Sequence, residues 1–179
     1  MTDVRGPARL ATRIRAVPDF PRPGVTFRDI TPLLADPAAF RDATERMAAP
    51  FRTGVSAVAG IDARGFLLAA PIAQALGLPL VPIRKQGKLP WDTHAHTYEL
   101  EYGSDTLEVH RDALTGDDRV LVVDDVLATG GTAAAACELT TRCFGASVVG
   151  VSVLLEITAL RGRARLGAVD APVESVLVV

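Results

Sequence analysis

The sequence predicts an α/β protein: a parallel sheet with helices on both faces. Three observations point there. Four short apolar runs, Val55–Ala59, Leu78–Ile83, Val120–Val123 and Ser147–Leu155, have the pattern of strands buried on both faces. Helical runs at Ala38–Arg52, up to about Leu76 and at Thr132–Phe144 alternate with them. Three of the strands run out into loops holding glycines, hydroxyls or cations, and ligands of such sheets bind beyond the carboxyl ends of strands.

In order, Pro7–Ala16 reads as a short amphipathic helix with Leu10 and Ile14 on one face. Val17–Pro37 is dense in proline and predicted to be irregular, pinned to the body by Phe20, Val25, Phe27 and Ile30. The helix Ala38–Arg52 starts near Asp36-Pro37, and the strand Val55–Ala59 ends in the small-residue turn Gly60–Phe66 before the next helix. Leu78–Ile83 leads into Arg84–Pro90, which carries three positive charges. Alternation in Tyr98–Tyr102 and Thr106–His110, around Gly103-Ser104-Asp105, gives a hairpin whose polarity predicts weak packing and mobility. Residues 157–179 read as a short helix plus a closing strand at Ser175–Val179.

Composition excludes several classes. The chain has 179 residues, 49% hydrophobic and 22% charged, enough for one domain with a real core. A net charge of −2 gives no strong pull toward nucleic acid or anionic membrane. Apolar runs stop short of the roughly 20 residues a membrane helix needs. MTDVRGPARL at the start lacks a hydrophobic signal core, so a cytoplasmic protein is expected. Cys137 and Cys143 are spaced for neither zinc nor a redox pair and read as small buried hydrophobes. His94 and His96 have no third ligand and receive no role. The only two lysines, Lys85 and Lys88, share the loop Arg84–Lys88, as a site needing compact, flexible ammonium groups would place them.

The chain is organised around Val120–Thr132, VLVVDDVLATGGT. A buried strand is followed by Asp124 and Asp125, then by a loop with Thr129, Gly130, Gly131 and Thr132, then by a helix. Glycines bring backbone N–H groups close to a ligand, and a helix start adds unpaired donors and partial positive charge. That is an anion site. The two carboxylates suit sugar hydroxyls or a hydrated Mg²⁺. A ligand with a phosphate, vicinal hydroxyls and a metal fits the whole segment. Neither GxxxxGK[ST] nor GxGxxG occurs, so a nucleotide P-loop and a dinucleotide cofactor are not indicated. Gly60–Phe66 repeats the order of strand, turn and helix start, which makes it a second anion candidate.

This stretch closely resembles the phosphoribosyl-pyrophosphate motif of type I phosphoribosyltransferases, and DDVLATGGT resembles the version found in adenine phosphoribosyltransferases. Three further segments carry the same resemblance in order: FPRPGVTFRD (an FPxPGxxFRD arm), Arg64-Gly65-Phe66, and Tyr98–Gly103, which meets YxLEYG. The resemblance runs from about Phe20 to Glu156. It implies the type I phosphoribosyltransferase-like fold, a single domain over 1–179 with an arm or hood at 1–37 and a flexible catalytic loop at 91–110. It implies that adenine and phosphoribosyl pyrophosphate give AMP and pyrophosphate, with Mg²⁺, in a homodimer.

The resemblance also distributes roles. Asp124, Asp125, Ala128, Thr129, Gly130, Gly131 and Thr132 hold the phosphoribosyl group. Asp62, Ala63, Arg64, Arg84, Lys85 and Lys88 surround pyrophosphate, with a non-proline cis peptide between Asp62 and Ala63. Gln86 stands where relatives often have proline, so a slightly looser turn is expected there. Adenine is read by the arm at Phe27-Arg28, with Val25 nearby. The family carboxylate falls on Glu101 as candidate base, acting at N7 or at N9, and the aromatic beside it on Tyr102. Mg²⁺ is expected on substrate and water, with no direct protein ligand. Two alternatives are a phosphoribosyltransferase for another purine such as xanthine, and a non-catalytic regulator that senses phosphoribosyl pyrophosphate.

Overall fold

The computed structural model describes residues 6–99 and 103–179, arranged as two compact units that divide between Arg46 and Met47. Glu101 and Tyr102, both assigned above, lie outside the described residues.

In the first unit, α1 (Pro7–Ala11) ends five residues earlier than its apolar spacing predicts. Arg15–Val17 then forms β1, antiparallel to β2 (Phe27–Asp29), with Ala16 opposite Arg28. Arg15 and Ala16, predicted helical, thus form a strand, and the segment expected to be irregular supplies its partner. Its turn is tied by Phe20 N–H to Val25 O at 3.1 Å and Gly24 N–H to Asp19 Oδ1 at 2.8 Å. After α2 (Thr31–Leu34) comes α3 (Pro37–Ala48), which Asp36 caps by accepting the Ala38 and Ala39 N–H groups, both at 3.1 Å. Those bonds, Ala39's first, hold the Asp36 carboxyl below the usual range, and Arg9 and Arg13 add to the effect.

The second unit is built on a seven-stranded sheet. Its strands are β3 (Ala57–Ile61), β4 (Leu80–Lys85), β5 (Thr93–Glu99), β6 (Ser104–His110), β7 (Arg119–Leu127), β8 (Ser147–Glu156) and β9 (Val173–Val178). The order is β5-β6-β4-β3-β7-β8-β9. The five strands from β4 to β9 are parallel, and the hairpin β5–β6 continues the sheet antiparallel from β4. The sheet is thus mixed, with the predicted parallel core. α4 (Arg64–Leu76) connects β3 outward to β4, and α5 (Gly131–Phe144) connects β7 outward to β8 in the opposite direction. Right-handed crossovers in opposite directions put the two helices on opposite faces. The point where the direction reverses lies between β3 and β7.

Val120–Val123 is fully buried in the centre, as its apolar run predicts. The strand continues further than its composition suggests. Asp124 and Leu127 still pair with Val153 and Glu156 of β8, so both aspartates lie within β7 and the loop begins at Ala128. The hairpin is also better packed than its polarity predicts: Leu107, Glu108 and Val109 are buried. Glu108 is accommodated there because its Oε2 accepts the Gly87 N–H at 2.9 Å.

The tail after β8 holds short helical turns, including α6 (Gly162–Arg165), and then β9, which begins at Val173 and not at Ser175. Arg163 forks onto the buried Glu156 carboxylate, with Nε donating to Oε1 at 3.0 Å, and Ser175 Oγ donates to Oε2 at 2.6 Å. Arg163 is the largest cause of the Glu156 carboxyl lying below its usual range. Cys137 is buried in α5, and burial pushes its thiol up to about 12. His94 meets the Phe144 ring edge-on at 5.1 Å, and His96 lies 3.4 Å from the Glu138 carboxylate.

Candidate active site

The switch point between β3 and β7 is where an open α/β sheet offers a crevice. Here α4 begins directly against β7. A Cβ on Gly65 would stand 2.9 Å from Val123 O and 3.0 Å from Asp124 Oδ1, so only glycine lets the helix start this close. The preceding Arg64 then reaches Asp125, with Nη2 3.0 Å from Oδ2. Asp125 Oδ2 is buried and, among the described residues, has this ion pair but no hydrogen bond. The peptide joining Asp62 to Ala63 is cis, as the family resemblance implies.

Burial raises both carboxyls of the acidic pair. Asp124 is pushed well up, first by desolvation and then by the neighbouring Asp125 charge. Asp125 is raised by desolvation and partly restored by Arg64. A pair held this way gains from any ligand that brings hydrogen-bond donors or positive charge.

Beyond β7, Ala128–Thr132 forms a tight turn into α5. Gly130 has φ +81, and its carbonyl accepts the Ala134 N–H at 2.9 Å, the first bond of the helix. The turn is backed by the tail. A Cβ on Gly130 would meet Gly162 O at 2.4 Å, and one on Gly162 would meet Ala128 O at 2.3 Å. Two glycine backbones face each other with no space for a side chain on either. At the helix start, Thr132 Oγ1 lies 3.2 Å from the Tyr98 hydroxyl on β5.

The basic loop leaves β4 on the other side of β3. Arg84 Nε lies 3.3 Å from Asp62 Oδ2, Nη1 donates to Lys88 O at 3.0 Å, and the guanidinium sits 5.8 Å from the Phe66 ring centre. Lys85 Nζ is 3.0 Å from Asp105 Oδ2 on β6, and Lys88 is exposed. Lys85–Lys88 is a hydrogen-bonded turn with Gly87 at φ +76, the third position of a type II turn. At the position where relatives often have proline stands Gln86. Its N–H donates to Thr106 O at 3.0 Å, a bond proline could not make, so the residue ties the turn to β6.

The structure thus places Asp62, Ala63 and Arg64, Arg84 through Lys88, Asp124 and Asp125, and Ala128 through Thr132 at the carboxyl ends of three neighbouring inner strands, β3, β4 and β7. Val25, Phe27 and Arg28 belong to the first unit. There Val25 N–H donates to Arg22 O at 3.2 Å, and Phe27 packs edge-on against Phe20 at 5.2 Å. Sequence reasoning missed Asp105, which pairs with Lys85, and Gly162, which backs the turn. The one local signal was a glycine between two arginines, Arg161-Gly162-Arg163, just past the end of a buried strand.

Residues 30–177 match the family described as the phosphoribosyl transferase domain. An adenine phosphoribosyltransferase from Streptomyces coelicolor is 56% identical over 173 residues, which is 95% of this chain and 94% of that protein. The chain belongs to the adenine phosphoribosyltransferases. The enzyme of that name from Streptomyces clavuligerus is 57% identical over 169 residues, covering 94% of both. Among solved structures, the adenine phosphoribosyltransferase of Rhodothermus marinus superposes with a TM-score of 0.92 at 49% identity, over 97% of this chain and 98% of that one. The Saccharomyces cerevisiae adenine phosphoribosyltransferase, solved with an imino-altritol bisphosphate and adenine, gives 0.87 at 35% identity, over 93% and 96%. Among the described residues of this family member, no helix is long and apolar enough to cross a membrane.

Proposed function

We propose that the chain transfers the phosphoribosyl group of phosphoribosyl pyrophosphate to adenine, giving AMP and pyrophosphate, with the roles divided as follows. The observation that carries the reading is the meeting of a glycine cradle at a helix start, an acidic pair whose Asp125 is buried and a basic loop around the β3/β7 switch point. Ala128–Thr132 cradles the 5′-phosphate through backbone N–H groups and the hydroxyls of Thr129 and Thr132. Asp124 and Asp125 hold the ribose hydroxyls and stabilise positive charge on the ring as the bond from C1′ to pyrophosphate breaks.

Arg64, Arg84, Lys85 and Lys88, with Asp62 and Ala63 shaping the loop, receive the departing pyrophosphate. Arg64, Arg84 and Lys85 are each positioned in advance by a carboxylate: Asp125, Asp62 and Asp105. Adenine is read by the arm at Val25, Phe27 and Arg28. N9 attacks C1′, and the ring loses a proton to Glu101, at N7 or N9, while Tyr102 closes the site. The hood at 1–37 and the loop at 91–110 serve one catalytic domain, and a cytoplasmic homodimer belongs to the same proposal.

Among the described residues, no three His, Cys, Asp or Glu side chains stand together as a metal site. The proposal has Mg²⁺ arrive on the substrate's phosphates and water, and Asp125 Oδ2, buried without a hydrogen bond among the described residues, is the kind of hard oxygen such an ion takes. When bound, it would neutralise charge on the leaving group.

The test is AMP formation from adenine, phosphoribosyl pyrophosphate and Mg²⁺, with hypoxanthine, guanine and xanthine alongside, and with Glu101→Gln as a second arm. Rapid turnover of adenine alone is expected. Glu101→Gln should keep substrate binding and lose most of kcat. Turnover of another base would overturn the assignment of the arm.

A further inference from the structure

We propose that Arg165, with Tyr98 beside it, is a positioning residue that fastens the strand leading to Glu101 onto the phosphate loop. The proposal rests on the assignment of Glu101 as base and extends it to the tail of the chain.

β5 ends at Glu99, two residues before Glu101. Its last two residues are tied to the helix start that cradles the phosphate. The Tyr98 hydroxyl lies 3.2 Å from Thr132 Oγ1. Arg165 Nη2 donates to Glu99 O at 3.3 Å across 66 residues of sequence. The other arm of the same guanidinium lies over Gly131. A Cβ there would stand 3.4 Å from Arg165 Nη1 and 3.9 Å from Glu99 O, so arginine and carbonyl both lie at ordinary contact distance from this glycine. Arg165 also follows Gly162, whose backbone packs on Ala128 and Gly130. One short segment therefore touches both the phosphate turn and the strand end.

Arg165 suits the last turn of its own short helix α6, but not the start of α5 over which it lies. Arg165 is exposed, and a cation near a helix N-terminus opposes the helix dipole. A guanidinium suits the role because its planar fork can hold a carbonyl with one arm and lie flat over a glycine with the other. Occupancy of the cradle would then be passed to the position of Glu101 through two contacts, and kcat is the quantity that reports it.

The experiment measures kcat, KM for each substrate and the melting temperature of Arg165→Ala, Arg165→Lys, Tyr98→Phe and Glu101→Gln. Arg165→Ala should lower kcat by roughly ten- to hundredfold, the scale set by misplacing a reacting group by an ångström. Its KM for phosphoribosyl pyrophosphate should stay within about threefold, and its melting temperature within ~2 °C, as for a surface substitution. Tyr98→Phe should lower kcat in the same direction, and Arg165→Lys should recover part of it. Added guanidinium ion should restore part of kcat to Arg165→Ala and none to Glu101→Gln.

A kcat for Arg165→Ala within twofold of the parent overturns the proposal. So does a KM for phosphoribosyl pyrophosphate raised more than tenfold at unchanged kcat, which would make Arg165 a ligand of the phosphate. If Glu101→Gln keeps full kcat, the base assignment falls and this proposal with it. If Glu101→Gln loses kcat while Arg165→Ala does not, the fastening alone falls.

Discussion

Replacing Gly162 by alanine perturbs the phosphate loop from outside the site. The new Cβ would stand 2.3 Å from Ala128 O, 3.0 Å from Gly130 N and 3.1 Å from Ala128 C. Ordinary contact for such a carbon begins near 3.4 Å, so one of the two backbones must retreat by about 1 Å. Neither neighbour is the flexible end of a side chain. Overpacking of this kind costs about 1–3 kcal/mol, which for a chain of this size lowers the melting temperature by several degrees.

The larger effect falls on the cradle, because Ala128 and Gly130 are the residues that shift. A 1 Å displacement of a positioned group costs on the order of 10²-fold in rate, or about 2.7 kcal/mol of transition-state stabilisation. Steady-state kcat/KM for phosphoribosyl pyrophosphate is the assay, with a thermal melt to show that the variant is folded. Gly167→Ala is the control, since a Cβ there meets nothing within 4 Å. A folded Gly162→Ala with kcat/KM within twofold of the parent would refute the claim that the tail supports the loop.

Two other outcomes follow from the charges. Arg163→Ala leaves the buried Glu156 with Ser175 as its remaining side-chain partner and should cost about 1–3 kcal/mol at neutral pH. The folded Glu156 pKa is lowered, so its contribution is present above the unfolded value and lost as pH falls through the folded one. The gap between parent and variant in melting temperature should therefore narrow below about pH 4. Asp124→Asn should show the opposite trend. The raised pKa means the ionised carboxylate costs stability at neutral pH, and protonation relieves that cost as pH falls. The variant should melt at or above the parent at pH 7, lose that advantage in acid, and have a much lower kcat.

Legibility from sequence followed distance along the chain. Val120–Val123 is legible because a central parallel strand must be apolar on both faces, and all four residues are fully buried. The end of the same strand is not. Asp124 and Asp125 look like residues that stop a strand, and only the pairing of Asp124, Val126 and Leu127 with β8 keeps them in it. β1 and β2 are three residues each, too short for a period-2 signal. The hairpin reads as loosely packed because Glu108 is charged, and nothing local shows that the Gly87 N–H binds it. The glycine loop, the basic loop and the acidic pair are each contiguous in sequence, so their chemistry can be read directly. Gly162 and Arg165 act on Ala128, Gly130 and Glu99 from more than 30 residues away, without a periodic pattern to announce it.

The pairing of Arg64, Arg84 and Lys85 with Asp125, Asp62 and Asp105 bears on how a polyanion finds this site. Each of these cations already has a carboxylate at hand, so the far field of the pocket is small and long-range steering contributes little to association. On the roles proposed above, recognition would be an exchange reaction in which phosphate oxygens displace protein carboxylates at contact distance. Ionic strength then has little hold on the encounter rate, and dissociation of the product is helped by carboxylates ready to take the cations back.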